Sequence, residues 1–222
     1  MPNWCMTKYI FHGDKEELDY LKSKIDEAIS GTFRKTDFGR DWLGNILIVA
    51  GLEERIDSED PNKMLRCRGT IIDISDVEDS GNGYTLEFFC ETAWVPMARM
   101  WDETIKAFGL KTVGFEYEAE ESGCELYWIY DPNGYGSFDD EEVYIDAYSE
   151  SNVAEERRDF ENLSGYRTTK DVVKALSSFF NVKTKSMDNL IKLCDSFNND
   201  SDREYDAWIY VHFFERIDTL ED

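Results

Sequence analysis

The sequence predicts an α+β fold in which an antiparallel sheet carries helices on one face. Residues 84–91 alternate apolar and polar side chains with a period near two, which is typical of a strand. The apolar residues after Pro96 recur at helical spacing, and Gly109 is suited to end that helix because glycine tolerates the left-handed conformation.

Residues 113–121 alternate in the same way and predict another strand, with apolar side chains on one face and glutamates facing water on the other. Ser122 and Gly123 signal a turn, after which residues 125–130 return as a partner strand. Because two parallel strands need a crossover helix, residues 84–131 predict a βαβ unit extended by a hairpin. That arrangement is half of a split βαβ, ferredoxin-like layer.

The preceding chain supplies the other half of this predicted layer. Residues 7–12 read as a strand, followed by a helix that Asp14 and Glu17 would open as a capping box and Gly31 would end. Residues 66–77 predict a strand that pairs with residues 84–91. Between the first helix and the strand at 66–77, the apolar run NILIVAGL predicts either a buried strand or a buried helix, since periodicity does not separate the two.

From Glu150 onward, the sequence predicts helices and one closing aromatic strand, AWIYVHFF. We expect two regions on this basis. Residues 1–150 form the ferredoxin-like core with an acidic centre, and residues 151–222 form a helical extension that packs on the core.

The chain has a formal net charge of −24, and the excess is uneven. Residues 1–50 contribute −1, residues 51–150 contribute −18, and residues 151–222 contribute −5. Phosphate contacts need clusters of Lys and Arg, so direct binding of nucleic acid or of anionic membranes is disfavoured. A basic partner protein or a cation is favoured.

The five cysteines are widely spaced and form no CxxC pair, which indicates reduced thiols and not a disulfide framework. No apolar run approaches the roughly 18 residues of a membrane helix, and no secretory signal pattern is present. We therefore expect a cytoplasmic protein.

Several short stretches resemble one family of phage- and plasmid-encoded proteins with a YubB-type ferredoxin-like domain. They are MPNWC at the start, a strand ending in His12-Gly13, ETAWVPM before a helix, and EYEAEESG before a hairpin. The resemblance covers about residues 1–131, with weak similarity between about 30 and 80. It implies a mobile-element origin and a ferredoxin-like fold, and it carries over no catalytic residue.

The acids of the central region are the first candidate site. Carried on neighbouring strands and turns, they would present a rigid negative surface to a basic partner, as DNA phosphates would. The other reading is a solvated face that keeps the chain soluble and guards the sheet against edge pairing. The proposed partner-binding acids are Glu87, Glu91, Glu116, Glu118, Glu120, Glu121, Glu125, Asp139, Asp140 and Glu141.

The loop at residues 131–142 is the second candidate site, because it partly matches the calcium-binding EF-hand loop. Asp131, Asn133, Asp139 and Glu142 fall at ligand positions one, three, nine and twelve. Tyr135 replaces the fifth ligand and the flanking segments read as strands, so a solvated hairpin loop explains the same residues.

No catalytic or cofactor motif is present, and the two histidines lie at strand-like positions that favour structural roles. The tryptophans read as core or interface anchors, because basic residues do not interleave them. The expected function is therefore that of a non-enzymatic inhibitor, a DNA mimic that blocks the basic site of a host defence nuclease of the CRISPR or restriction type. A cation- or small-ligand-binding module using the 131–142 loop is the alternative.

Overall fold

The computed structural model describes residues 3–30, 39–56, 58–202 and 205–220 and divides the chain into two compact units. The first unit comprises Met1–Ser137 and Arg216–Asp222, and the second comprises Phe138–Glu215. The strands are β1 (Trp4–Gly13), β2 (Gly69–Ile74), β3 (Glu78–Asp79), β4 (Tyr84–Ala93), β5 (Gly114–Glu121), β6 (Leu126–Tyr130), β7 (Val143–Ser149), β8 (Gly165–Arg167), β9 (Ala207–Phe213) and β10 (Glu215–Ile217). The α-helices are α1 (Lys15–Ile29), α2 (Gly44–Val49), α3 (Ala98–Phe108), α4 (Ala154–Leu163), α5 (Thr169–Phe179) and α6 (Met187–Asn198).

These elements confirm the predicted α+β class. Seven described strands form one mostly antiparallel sheet in the order β10-β6-β5-β1-β4-β2, with β3 also paired to β4. β1 pairs antiparallel with β4 on one side and with β5 on the other, so β4 and β5 run parallel to each other without touching. The predicted crossover helix between them is α3.

The core of the first unit lies on the helix-bearing face of the sheet, which we call the inner face. Tyr9 and Phe11 of β1 are fully buried there and contact Trp101 of α3, with ring centroids 6.0 and 5.6 Å from the indole. Phe88 of β4 lies 4.7 Å from the same indole. The buried stripe of α1 belongs to the same cluster, so alternation along the strands directs every second side chain into one core.

The predicted strand at 66–77 is shorter and less regular than expected. Ile71 pairs with Cys90 and Ile74 pairs with Phe88, with a register shift between Ile71 and Asp73. The bulge returns Ile74 to the face of Ile71, whereas strict alternation would have placed them on opposite faces. The ambiguous run NILIVAGL forms the short helix α2.

The predicted capping box of α1 forms differently. Asp14 is the N-cap by backbone conformation, but its side chain makes no capping hydrogen bond. The Glu17 carboxylate instead accepts hydrogen bonds from the amides of Lys111 and Thr112 and from the Thr112 hydroxyl, at 2.8–2.9 Å. The predicted end of the helix at Gly31 lies outside the described residues.

The second unit begins earlier in the chain than the sequence predicts. The boundary falls between Ser137 and Phe138, not at residue 150, because β7 belongs with the C-terminal elements. β9, the aromatic strand that the sequence predicts at the end of the chain, pairs with β7 in a separate three-stranded sheet of order β8-β7-β9. Side chains from this sheet and from α4, α5 and α6 form a second core that includes Ile145, Leu176 and Ile209.

Candidate functional site

The face of the large sheet opposite the inner face, here called the outer face, carries five of the ten predicted acids. Met6 of β1 lies directly between Glu91 of β4 and Glu120 of β5 in the strand register. Side chains opposite one another on neighbouring antiparallel strands lie about 5 Å apart at Cβ. The two half-buried carboxylates therefore flank an exposed thioether in one row across three strands.

The next row of the outer face continues this mixture of acid and apolar surface. Phe89 is 39% exposed and lies opposite Lys8, whose ammonium group is 5.9 Å from the centre of its ring. Lys8 also forms an ion pair with Glu87 at 3.3 Å. Exposed apolar side chains bordered by charged ones are typical of protein interaction surfaces.

Glu116 and Glu118 contradict the prediction that their side of β5 faces water. They are 0% and 6% exposed, respectively. Glu116 Oε1 lies 2.7 Å from Nε2 of His12, and Oε2 accepts the amide of Ser137 at 3.3 Å. Glu118 lies opposite Lys8 in the strand register. The alternation placed these acids on the correct face of the sheet. It could not show that the loop after β6, which contains Ser137, would cover part of that face.

Glu121 also departs from the predicted array. It is 3% exposed and lies on the inner-face side of the alternation, and its Oε1 accepts the amide of Gly123 at 2.9 Å. This bond fixes the 3-10 turn at Ser122–Cys124 that joins β5 to β6. Glu125, which follows the turn, is exposed and adopts a left-handed conformation with φ 54°.

The remaining predicted acids lie in the second unit. Asp139 and Asp140 are exposed and Glu141 is half-buried. The ten predicted residues therefore separate into three groups. Glu87, Glu91 and Glu120 are the half-buried outer-face group, Glu116, Glu118 and Glu121 are buried, and the other four are exposed or half-buried residues outside the strands. The outer-face group is the part that the strand register holds together.

The predicted calcium ligands have local hydrogen-bonding roles. Both carboxylate oxygens of Asp131 accept loop amides, from Tyr135 and Gly136, at 2.9 Å. Glu142 Oε2 accepts the amide and hydroxyl of Thr169 at the start of α5. Asn133 donates to the Tyr135 hydroxyl at 3.4 Å, and Asp139 is exposed. The described residues contain no group of three His, Cys, Asp or Glu side chains suited to hold a metal ion.

His12, Glu116 and Tyr135 form a compact cluster that the sequence did not reveal. The Tyr135 ring stacks on the His12 imidazole with centroids 3.8 Å apart and planes 8° apart. The cluster borders a cavity of about 450 Å³ that Asp14 and Thr112 also line. A carboxylate-bound histidine resembles part of a catalytic triad. In the described part of the chain, the side-chain hydrogen-bond partner of His12 is the Glu116 carboxylate.

Sequence reasoning also missed a groove at the start of β1. Trp4 and Trp94 line it together with Arg66 and Arg68. These arginines are distant from the tryptophans in sequence, so the linear order does not show that basic and aromatic side chains lie together. The signal that could have indicated them is the segment Arg66-Cys67-Arg68, which is basic within an otherwise acidic region.

Comparison of the chain with protein-family models, with curated proteins and with solved structures found no match. The described portion of the chain contains no helix that is both long and apolar enough to cross a membrane. The observations that bear on function are therefore the charge, the outer face and the groove.

Proposed function

We propose that this chain is a non-enzymatic binding protein whose outer face covers a basic, nucleic-acid-binding surface on a partner protein. The observation that carries the proposal is the row Glu91–Met6–Glu120 with the exposed Phe89 beside it. The carboxylates would take the place of nucleic-acid phosphates, and the apolar side chains would supply contact area that phosphates lack.

The energetics of association favour this division of roles. Complementary charge raises the association rate and excludes wrong partners, whereas desolvated apolar side chains supply much of the binding free energy. A net charge of −24 attracts a basic protein over a distance that salt shortens to about 8 Å at physiological ionic strength. The same charge opposes direct binding of nucleic acid by this chain.

We further infer that the first unit follows the ferredoxin-like arrangement. In support, β1, β2, β4 and β5 stand in the order β5-β1-β4-β2 with antiparallel neighbours, and α1 and α3 follow the first and third of these strands. Together with the resemblance to phage- and plasmid-encoded proteins, this arrangement favours a partner in the host cytoplasm. A host defence nuclease of the CRISPR or restriction type fits the proposed chemistry.

Affinity capture from a host lysate tests the proposed function. The tagged chain is used as bait at low and at high salt, with and without competing double-stranded DNA, and bound proteins are identified by mass spectrometry. We expect a basic nucleic-acid-binding protein that is lost at high salt and displaced by DNA. A partner that is retained at high salt and unaffected by DNA would contradict the proposal.

A further inference from the structure

The groove at the start of β1 brings together three tryptophans and two arginines. Trp4, Trp42 and Trp94 line a cavity of about 840 Å³ with Arg66 and Arg68. Ligand pockets typically measure about 300–1,000 Å³. No acidic residue is among the described residues that line the groove, although acids outnumber Lys and Arg by 48 to 24 in the whole chain. The groove is therefore a local exception to the charge of the chain.

The polar and aromatic groups of this groove are open to a ligand. Trp4 is 46% exposed and Trp94 is 47% exposed. Arg66 and Arg68 are exposed, and neither guanidinium forms an ion pair or a side-chain hydrogen bond with another described residue. Indole faces stack on planar rings, and guanidinium groups bind phosphate in a bidentate geometry.

The backbone beside the groove adopts two left-handed conformations, one of them at Trp94. Trp94 has φ 76° and Met97 has φ 62°, both in the left-handed region that side chains other than glycine rarely adopt. The Trp94 amide donates to the Asn3 carbonyl at 3.0 Å, and the Thr92 hydroxyl donates to the Val95 carbonyl at 2.6 Å. Such conformations persist where the surroundings enforce them, and they concentrate at binding and catalytic sites.

We propose that this groove binds a mononucleotide, with its base stacked on an exposed indole and its phosphate paired with Arg66 and Arg68. The two arginines disfavour a cationic ligand. The charge of −24 disfavours a long polyanion such as single-stranded DNA, because each added phosphate is repelled by the net negative charge of the chain. The site uses different side chains from the acidic row and does not depend on the proposed partner.

Calorimetric titration of the full chain with the four ribonucleoside 5′-monophosphates tests this proposal. We expect at least one to bind in the micromolar to millimolar range. The double variant Arg66→Gln/Arg68→Gln should weaken its binding by about tenfold or more, because it removes charge-assisted hydrogen bonds. The matched control Arg157→Gln/Arg158→Gln, on the exposed surface of α4, should leave binding unchanged.

Further arms of the same titration separate the base from the phosphate. The matching nucleoside and inorganic phosphate should each bind more weakly than the nucleotide. Trp94→Ala should weaken the binding of the nucleotide and of the nucleoside alike. Should Trp94→Ala misfold, Arg66→Gln/Arg68→Gln keeps the test informative, because it changes only exposed side chains. Absence of heat with all four nucleotides, equal binding of the nucleoside, or tighter binding of an oligonucleotide would overturn the proposal.

Discussion

At the scale of single residues, the fully buried Glu116 is the strongest departure from the sequence pattern. A buried carboxylate is costly unless it is paired and hydrogen-bonded. His12 and the Ser137 amide supply those partners, and the Tyr135 ring covers the imidazole. The cluster thereby attaches the loop after β6 to the outer face of the sheet, and we assign it a structural role.

This role predicts that His12→Ala destabilises the chain by about 2–4 kcal/mol, because it leaves the Glu116 carboxylate buried with one partner fewer. Urea unfolding followed by circular dichroism measures the change. The double variant His12→Ala/Glu116→Gln should recover much of the loss in stability, since the glutamine side chain at position 116 carries no charge. A single variant that loses less than about 0.5 kcal/mol would show that the pair is not needed for stability.

The cysteines give a second prediction at this scale. Burial raises the pKa of Cys5 and of Cys194 to about 11 and raises that of Cys90 further. Cys67 is also buried, whereas Cys124 is exposed. Since thiolates are the reactive form, we expect one accessible thiol per native chain.

Titration with Ellman's reagent before and after unfolding checks this count. Cys124 should react slowly for an exposed thiol, because its hydrogen bond with the Glu121 carboxylate raises its pKa. Cys124→Ser should remove the native reaction and leave four thiols that react only in denaturant. Rapid reaction of two or more thiols in the native chain would contradict the burial described here.

At the scale of the elements, contacts between segments distant in sequence account for several differences between the structure and the local sequence pattern. The alternation of apolar and polar residues predicted β1, β4 and β5 and their inner faces, because successive side chains of a strand point to opposite faces of the sheet. The prediction of a capping box at Asp14 and Glu17 was wrong because Thr112, nearly a hundred residues away, donates hydrogen bonds to the Glu17 carboxylate. Such a partner leaves no trace in local spacing, and the same holds for the arginines beside Trp94.

The Glu17 contact predicts a pH-dependent contribution to stability. Hydrogen bonds from the backbone and side chain of Thr112, and from the Lys111 amide, lower the pKa of Glu17 below its ordinary 4.5. A carboxyl whose pKa is lowered by folding stabilises the native state above its unfolded pKa. That stabilisation is lost as the pH falls through the folded value.

Glu17→Gln should therefore be less stable than the original chain at neutral pH, and the difference should shrink below about pH 4.5. Thermal melts of both proteins across this range measure the difference directly, which cancels the titration of the other carboxyls. The matched control Glu16→Gln changes an exposed neighbour on α1 that accepts none of the hydrogen bonds from Lys111 and Thr112, so it should cost less stability at neutral pH. A constant difference at all pH values would indicate a packing effect instead.

At the scale of the whole molecule, charge and architecture must be considered together. Composition alone placed the acidic excess in residues 51–150, and the structure distributes those acids unequally between interior and surface. It also divides the chain into two units that each bury their own core. The large sheet of the first unit carries the row Glu91–Met6–Glu120, in which two half-buried acids flank an exposed methionine. This row is the central feature of the proposed function.

The most direct test of that function reverses the charge of the outer face. The variant Glu87→Lys/Glu91→Lys/Glu120→Lys changes three half-buried acids. The control Glu54→Lys/Glu155→Lys/Glu161→Lys changes three exposed acids elsewhere. Each set of three reversals raises the formal net charge from −24 to −18, so the two variants have the same net charge but carry the reversals at different places.

Binding of both variants to the captured partner is then measured by surface plasmon resonance at physiological salt, after circular dichroism has shown that they are folded. We predict that the outer-face variant loses at least about tenfold in affinity, while the control loses much less. Equal loss in both would mean that overall charge, not this face, attracts the partner. Unchanged affinity of the folded outer-face variant would contradict the proposed function.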